Sequence, residues 1–314
     1  MANEIKNESK APPAYGEEAA AQYGSKSPPY HNWQEAVPDT ATLPPPPALG
    51  FLSSRNGNAS GDDAERAHEF CDKFPLHLPI KPSATVYTSV QEHDLRPVLP
   101  KEFHGTFAFV SQGCWKGSTR ARNGDTLIST NLPLYFPTLE SPFVTERGKT
   151  IYFEVKLLGL CEGPGPGAVS TDSSGFSIGF IAHPYPYWRS PGWERGSIGV
   201  FSDDGCRFVN DSWGGREFTS AFAVGETVGL GMTFRRPGNS STNLESKIKK
   251  CRVDIFFTRN GCLVGGWDLH EEVDEDAGSI EGLEGDFDLY GAIGLFGGVD
   301  FEVCFNQAGW LWKI

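Results

Sequence analysis

Residues 177–210, SIGFIAHPYPYWRSPGWERGSIGVFSDDGCRFVN, contain three short apolar segments separated by turn-forming residues. In the segments, apolar residues alternate with small or polar ones, which is the period-two pattern of a half-buried strand. The sequence Asp203-Asp204-Gly205 predicts a tight turn, because glycine adopts the positive φ angle that such turns require. The stretch therefore indicates antiparallel strands joined by one aromatic loop and one short turn.

The same pattern extends on both sides of this stretch. Apolar segments of strand length recur from residue 106 to residue 305, and turn signals such as Arg259-Asn260-Gly261 and Gly297-Gly298 separate them. They are TFAFVSQG, DTLIST, TIYFEVKLL, FSIGFIA, SIGVF, CRFVN, TVGLGMTF, CRVDIFFT, CLVGGWDL, LYGAIGLF and VDFEVCF. Antiparallel strands without intervening helices pack as two sheets. We predict an all-β, two-sheet antiparallel β-sandwich.

The charge and cysteine patterns restrict the partners and the compartment. A formal net charge of −13 and a pI of about 5.0 disfavour a phosphate backbone as the main partner, so no nucleic acid is expected. The seven cysteines are scattered and form no C-x-x-C pair, which predicts free thiols in a reducing compartment. The polar N-terminus does not resemble a signal peptide, and no apolar run has the length of a membrane span. A cytoplasmic location is expected.

Three regions follow from composition. Residues 1–60 are rich in proline and predict a disordered tail with polyproline-II character. Residues 61–102 predict a helix over about 63–74, capped by Asp62 or Asp63 and ended by Pro75, followed by an extended lead-in from residue 76 to residue 100. Residues 103–314 predict the sandwich domain.

The order and spacing of several blocks resemble those of a SPRY domain. The blocks are YFEVKL, residues 177–210, GETVGLGMTF, VDIFFTRNGCLVGGW and LYGAIGLFG…VDFEVCFN, and together they span about two thirds of the chain. The resemblance implies a concanavalin-like β-sandwich that recognises other proteins through loops at one end.

Within SPRY proteins, the sequence is most similar to the fungal endosomal and vacuolar adaptors that recruit WW-containing HECT ubiquitin ligases to membrane cargo. The lead-in LISTNLPLYFPTLESPFVTERGKTIYFEVKLL, the central block PYPYWRSPGW…GSIGVFSDDG and a PPxY motif carry this likeness. Those adaptors have a membrane-spanning helix before the SPRY domain, and no such helix is visible here. Any membrane association would therefore be indirect, through cargo. The resemblance implies cargo ubiquitination and sorting on the cytosolic face of endosomes or the vacuole.

The PPxY motif is Pro12-Pro13-Ala14-Tyr15, and Ser27-Pro28-Pro29-Tyr30 is a degenerate second copy. A WW domain binds prolines already in polyproline-II geometry and accepts the tyrosine ring in a second pocket. Two copies on one tail gain from effective concentration. The expected ligase-binding residues are Pro12, Pro13, Tyr15, Pro28 and Tyr30.

The sequence offers two candidate SPRY loops for a protein partner or cargo. Residues 183–189, HPYPYWR, are unusually aromatic for a turn, and aromatic residues and arginine dominate protein-binding hot spots. A second loop, NDSWGGRE, contains a tryptophan and an arginine. Trp193 is better explained as part of the core. The candidate residues are Tyr185, Tyr187, Trp188, Arg189, Trp213 and Arg216.

No motif predicts an enzyme, a cofactor or a metal site. Nucleophile elbow, P-loop and zinc-protease patterns are absent from the sequence, and the strand carboxylates Glu154 and Glu302 form no catalytic pair pattern. The acidic stretch 271–288 predicts a solvated insertion and meets a calcium-loop pattern only partly. The alternative function is a SPRY scaffold subunit of another complex, of the nuclear methyltransferase or Ran-binding ubiquitin-ligase type, in which the PPxY motif is incidental.

Overall fold

Two antiparallel sheets stack around a shared aromatic interior in the computed structural model of the chain. The structure describes residues 60–120, 123–161, 174–211, 215–238, 249–271 and 279–313. The chain divides into a unit of Met1–Gly50 and a unit of Phe51–Ile314, and every described residue belongs to the second. The tail residues 1–59, which include the predicted WW ligand, lie outside the described residues.

One sheet has six strands in the order β1-β4-β12-β6-β7-β8. Their bounds are β1 Pro97–Val98, β4 Thr126–Thr130, β6 Gly175–Ala182, β7 Ser197–Phe201, β8 Arg207–Val209 and β12 Leu289–Phe296. All neighbours in this sheet pair antiparallel. Every residue of β4, β6 and β7 is buried, so this sheet is covered on both faces along its centre.

The other sheet has seven strands in the order β11-β10-β9-β5-β13-β3-β2. Their bounds are β2 Gly105–Ser111, β3 Cys114–Thr119, β5 Lys149–Cys161, β9 Thr227–Arg235, β10 Arg252–Arg259, β11 Cys262–Asp268 and β13 Gly298–Cys304. All pairs are again antiparallel. The predicted all-β, two-sheet antiparallel sandwich is thus confirmed, and each predicted segment contains a strand. The sequence did not predict β1, which has two residues, or β3, in which lysine and glycine weaken the strand pattern.

Aromatic side chains join the two sheets. Phe153 on β5 meets Phe180 on β6 edge to face, with ring centroids 5.4 Å apart, and both side chains are fully buried. Such pairs combine a large buried area with a favourable ring geometry. On β10, Phe257 packs between Phe218 and Phe222 at 5.8 and 5.7 Å. Alternate residues of both sheets therefore supply one continuous core.

The predicted hairpin at residues 259–261 is confirmed. Asn260 has a φ of 49° and Gly261 a φ of 75°, which are the two positive angles of a two-residue turn that matches strand twist. This turn places β10 and β11 in antiparallel register at one edge of the seven-stranded sheet. Gly205 likewise has a positive φ of 76°, as the turn between β7 and β8 requires.

Helices precede and interrupt the strands. The structure contains α1 Gly61–Lys73, α2 Ala84–Gln91, α3 Pro137–Glu140, α4 Pro142–Thr145 and a 3₁₀ helix Gln307–Gly309. The helix predicted over 63–74 exists as α1, but Ser60 caps it instead of Asp62 or Asp63, since the Ser60 hydroxyl accepts a hydrogen bond from the backbone N–H of Asp63. The extended lead-in predicted for residues 76–100 was wrong at Ala84–Gln91, which form α2. Ser83 caps α2 in that segment, and the burial of Val90 outweighs the low helix propensity of its β-branched residues.

The cysteine prediction needs a correction. Cys114 on β3 and Cys304 on β13 stand opposite each other in the strand register, with Cα atoms 4.3 Å apart, and the structure pairs them as a disulfide. Scattered sequence positions give no sign of such a cross-strand neighbour. Of the free thiols, Cys251 is buried and Cys262 is exposed.

The acidic stretch 271–288 is only partly a solvated insertion. Glu284 is 5% exposed and contacts both Lys250 and the Nε2 atom of His270. Asp288 is 7% exposed and accepts a hydrogen bond from the backbone N–H of Ile80 at 2.9 Å. Both carboxylates therefore have structural partners. Residues 272–278 lie outside the described residues.

Replacing Phe257 by alanine tests the shared core. We expect the free energy of unfolding to fall by about 3–5 kcal/mol, because the change removes a fully buried ring and leaves a cavity. Leu263→Ala on β11 is the matched control, since that side chain is 57% exposed and its loss should cost less than about 0.5 kcal/mol. Urea unfolding followed by tryptophan fluorescence measures both. Equal effects would contradict the assignment of Phe257 to the core.

Candidate interaction surface

The loop between β6 and β7 is held in shape by Tyr185. Its hydroxyl donates a hydrogen bond to the Ser190 carbonyl oxygen at 2.6 Å and accepts one from the Glu194 backbone N–H at 3.2 Å. The side chain is 7% exposed, and burial keeps the pKa of its hydroxyl well above the ordinary range. A cis peptide bond precedes Pro184 at the start of the loop. Tyr185 thus organises the loop from within.

Arg189 forms a buried ion pair beneath the loop. Its Nε donates to Glu194 Oε1 at 2.7 Å, and both side chains are less than 5% exposed. The guanidinium also lies over the Trp193 ring, 4.4 Å from its centroid. Burial raises the pKa of Glu194, and the charge of Arg189 opposes that rise. Removing one partner of such a pair leaves an uncompensated buried charge, so the pair fixes the loop floor.

Tyr187 and Trp188 form the outward-facing part of the loop. Tyr187 is 39% exposed, and its hydroxyl donates to Glu102 Oε1 at 3.0 Å. Its ring stands perpendicular to that of Trp188, with centroids 4.9 Å apart. The indole Nε1 of Trp188 donates to the carbonyl oxygen of Asp63 on α1 at 3.1 Å. Of the four predicted residues in this loop, these two lie on its outer side, whereas Tyr185 and Arg189 are buried.

Trp193 belongs to the core, as expected. It is 8% exposed and stacks on Phe201 with ring centroids 5.3 Å apart.

The second predicted loop borders a shallow cleft. Trp213 lies outside the described residues, whereas the backbone of Arg216 forms an antiparallel bridge with that of Arg207 on β8. Both guanidiniums contact the carboxylate of Glu271, and Arg207 also lies over the Trp267 ring at 4.7 Å. These residues line a space of about 380 Å³ that includes its open mouth. Sequence reasoning missed Arg207 and Trp267, because strands 60 residues apart supply them.

Arg195 is a further loop residue to which the sequence assigned no role. Its guanidinium donates to the carbonyl oxygen of Cys71 at 3.3 Å and to that of Phe74. It thereby binds the C-terminal end of α1, where the helix leaves carbonyl oxygens without helical partners. The contact joins residues more than 120 positions apart, so no local sequence pattern could predict it.

The two strand carboxylates have structural surroundings. Glu154 is 3% exposed and accepts hydrogen bonds from the backbone N–H groups of Leu311 and Trp312, each at 2.8 Å. Glu302 on β13 stands in register between Lys116 and a lysine of β5.

Within the described ranges, no three His, Cys, Asp or Glu side chains converge as metal ligands. No helix in the described part of the chain is long and apolar enough to cross a bilayer.

No family model matches the chain. A SPRY domain-containing protein of Schizosaccharomyces pombe is 33% identical over 139 residues, which cover 44% of this chain and 27% of that protein. The chain carries a SPRY domain. The SPRY β-sandwich expected from the sequence is thereby confirmed. A crystal structure of a human SPRY domain aligns with 64% of this chain and 98% of its own, at 19% identity and a TM-score of 0.37.

Further relatives are fungal proteins named Ssh4. The protein of Sclerotinia sclerotiorum is 27% identical over 135 residues, covering 43% of this chain and 20% of that protein. The protein of Saccharomyces cerevisiae is 31% identical over 94 residues, covering 30% of this chain and 15% of that protein. The chain thus matches about a quarter or less of each curated relative's length.

Asp125 beside β4 provides a test of loop electrostatics. Burial raises its pKa to about 8, while the charge of Arg189 opposes the rise and Asp63 and Asp203 add to it. The folded chain then binds this proton up to about pH 8, and the unfolded chain releases it near its ordinary pKa of about 3.9. The protonated Asp125 therefore contributes to the free energy of unfolding at low pH, and this contribution is lost as pH rises towards 8.

We expect Asp125→Asn to raise the stability at pH 7.5 and to flatten its decline between pH 5.5 and 7.5, because the amide mimics the protonated acid. Urea unfolding at the two pH values measures this, with exposed Asp72→Asn on α1 as the control. A decline in stability as steep as that of the wild-type chain would contradict the protonation of Asp125.

Proposed function

We propose that this chain is a non-catalytic adaptor that joins two proteins through two separate elements. The SPRY loops bind a protein partner or cargo, and the N-terminal tail recruits a WW-domain HECT ubiquitin ligase. The result is ubiquitination of the cargo and its sorting at endosomes or the vacuole. The chain acts in the cytoplasm, on the cytosolic face of those membranes, and reaches them through its cargo.

The observation that carries this proposal is the combination of a SPRY domain with a PPxY motif in one chain. The motif Pro12-Pro13-Ala14-Tyr15 lies about 45 residues before α1, in a proline-rich segment. Prolines set φ near the value that a WW groove accepts, which lowers the ordering cost of binding. The similarity to fungal proteins named Ssh4 supports the same function, because the sequence also resembles fungal ligase adaptors.

Two features of the sandwich support a binding role over a catalytic one. The outward residues of the β6–β7 loop, Tyr187 and Trp188, are of the types that dominate protein-binding sites. Glu154 and Glu302 share the outer face of the seven-stranded sheet, yet Glu154 accepts hydrogen bonds from the C-terminal segment and from the Tyr152 hydroxyl at 2.8 Å. That carboxylate serves to fix the C-terminal segment onto the sheet.

Titration of the full chain with a WW domain of a HECT ligase tests the ligase contact. We expect micromolar binding by the wild-type chain, and a loss of at least about tenfold in Tyr15→Ala, because truncation empties the tyrosine pocket. Tyr30→Ala should weaken binding less, since its motif lacks the first proline. Tyr23→Ala, in the same tail but outside either motif, is the matched control.

Binding that survives the combined Tyr15→Ala and Tyr30→Ala changes would place the WW contact elsewhere. No binding by the wild-type chain would overturn the ligase-adaptor function and leave a SPRY scaffold subunit of another complex.

A further inference from the structure

Helix α1 lies directly on the outward-facing tryptophan of the β6–β7 loop. The Arg66 guanidinium stacks over the Trp188 ring at 3.8 Å, and the Phe70 ring meets it edge to face at 5.7 Å. Trp188 Nε1 hydrogen-bonds the Asp63 carbonyl oxygen. Between these contacts, Ala67 on the same helix face is fully buried. The residues recur at the three- and four-residue spacing of one helix face.

The loop also binds the end of the helix. Arg195 donates to the carbonyl oxygens of Cys71 and Phe74, where a positive charge is favourable because of the helix dipole. His68 Nε2 lies 3.7 Å from Glu194 Oε2. We name the side chains of Trp188, Glu194 and Arg195 the Trp188 surface. This surface contacts the Arg66 and Phe70 side chains on one face of α1 and the carbonyl oxygens at its C-terminal end.

Another helix could make the same contacts with the Trp188 surface. An arginine and an aromatic residue four positions apart flank Trp188, and terminal carbonyl oxygens meet Arg195. An isolated helix of 13 residues is marginally stable in water, so α1 depends on this docking. Its tether keeps it near the surface at an effective concentration of the order of millimolar. A tighter-binding helix would nevertheless compete for the same contacts.

We propose that the Trp188 surface is a helix-binding site that α1 occupies in cis, and that a partner helix with an arginine four residues before an aromatic residue binds there by displacing α1. This inference rests on the proposed binding role of the SPRY loops and specifies the partner for one of them. The contacts that α1 makes with the Trp188 surface define the side chains that a competing partner helix needs.

The reactivity of Cys71 measures whether α1 is docked. Burial raises the pKa of this thiol to about 11, so alkylation near neutral pH is slow. We expect the double variant Arg66→Ala, Phe70→Ala to alkylate at Cys71 at least about tenfold faster, because both Trp188 contacts are lost. Alanine favours a helix, so the change does not weaken the helix itself.

The matched control is Glu65→Ala, Glu69→Ala, which changes two exposed positions on the same helix and should leave the rate unchanged. Site-resolved mass spectrometry reads Cys71 against exposed Cys262 as an internal reference. An unchanged rate of Cys71 alkylation in the Arg66→Ala, Phe70→Ala variant would overturn the claim that these contacts hold α1.

Binding in trans tests the site itself. A labelled peptide of residues 60–76 is titrated against the full-length Arg66→Ala, Phe70→Ala chain and against the wild-type chain. We expect binding to the variant that is at least about tenfold tighter, since the wild-type α1 competes in cis. The binding should be lost when Trp188→Ala is added to the variant, and in a peptide that carries alanine at positions 66 and 70.

No peptide binding to a variant whose Cys71 has become reactive would overturn the helix-binding site. Binding that persists in the Trp188→Ala chain would place the peptide elsewhere and overturn it as well. Neither experiment involves the tail or a WW domain, so failure here leaves the ligase contact standing, and failure of the WW titration leaves the Trp188 surface standing.

Discussion

The contact between Phe153 and Phe180 is the constraint on which the structure depends, because it joins the central strands of two sheets that share no backbone hydrogen bonds. Each sheet alone would leave an apolar face in water. The two apolar faces close against each other, and the loop between β6 and β7 leaves the sandwich where those strands end. The position of the interaction surface is therefore a consequence of core packing.

A different set of contacts holds the loop in shape. Its floor is a buried ion pair, Arg189 with Glu194, and its interior is filled by the Tyr185 hydroxyl network. Burying polar or charged groups costs free energy unless each forms a hydrogen bond or ion pair. This requirement favours the one loop conformation in which these partners meet. That conformation presents Trp188 outward, where the chain's own helix α1 covers it. An interaction surface and its first occupant thus come from the same chain.

Most of the fold could be predicted from the sequence, because strand alternation and the Asn260-Gly261 turn are local signals. The helix α2 escaped prediction since its stability comes from the burial of Val90 and not from propensity. The aromatic loop was identified correctly as a loop, but residue type alone does not separate buried Arg189 from outward Trp188. The link from Arg195 to α1 joins distant residues, and such contacts appear only in three dimensions.

In the proposed function, one chain carries two separate binding elements, a tail for the ligase and a folded surface for another protein. Hydrogen exchange of the full chain with and without a saturating WW domain of a HECT ligase tests it most directly. We expect slowed exchange around Tyr15 and unchanged exchange in α1 and in the loop of residues 183–196. Protection in the sandwich or the loop, with none around Tyr15, would contradict it.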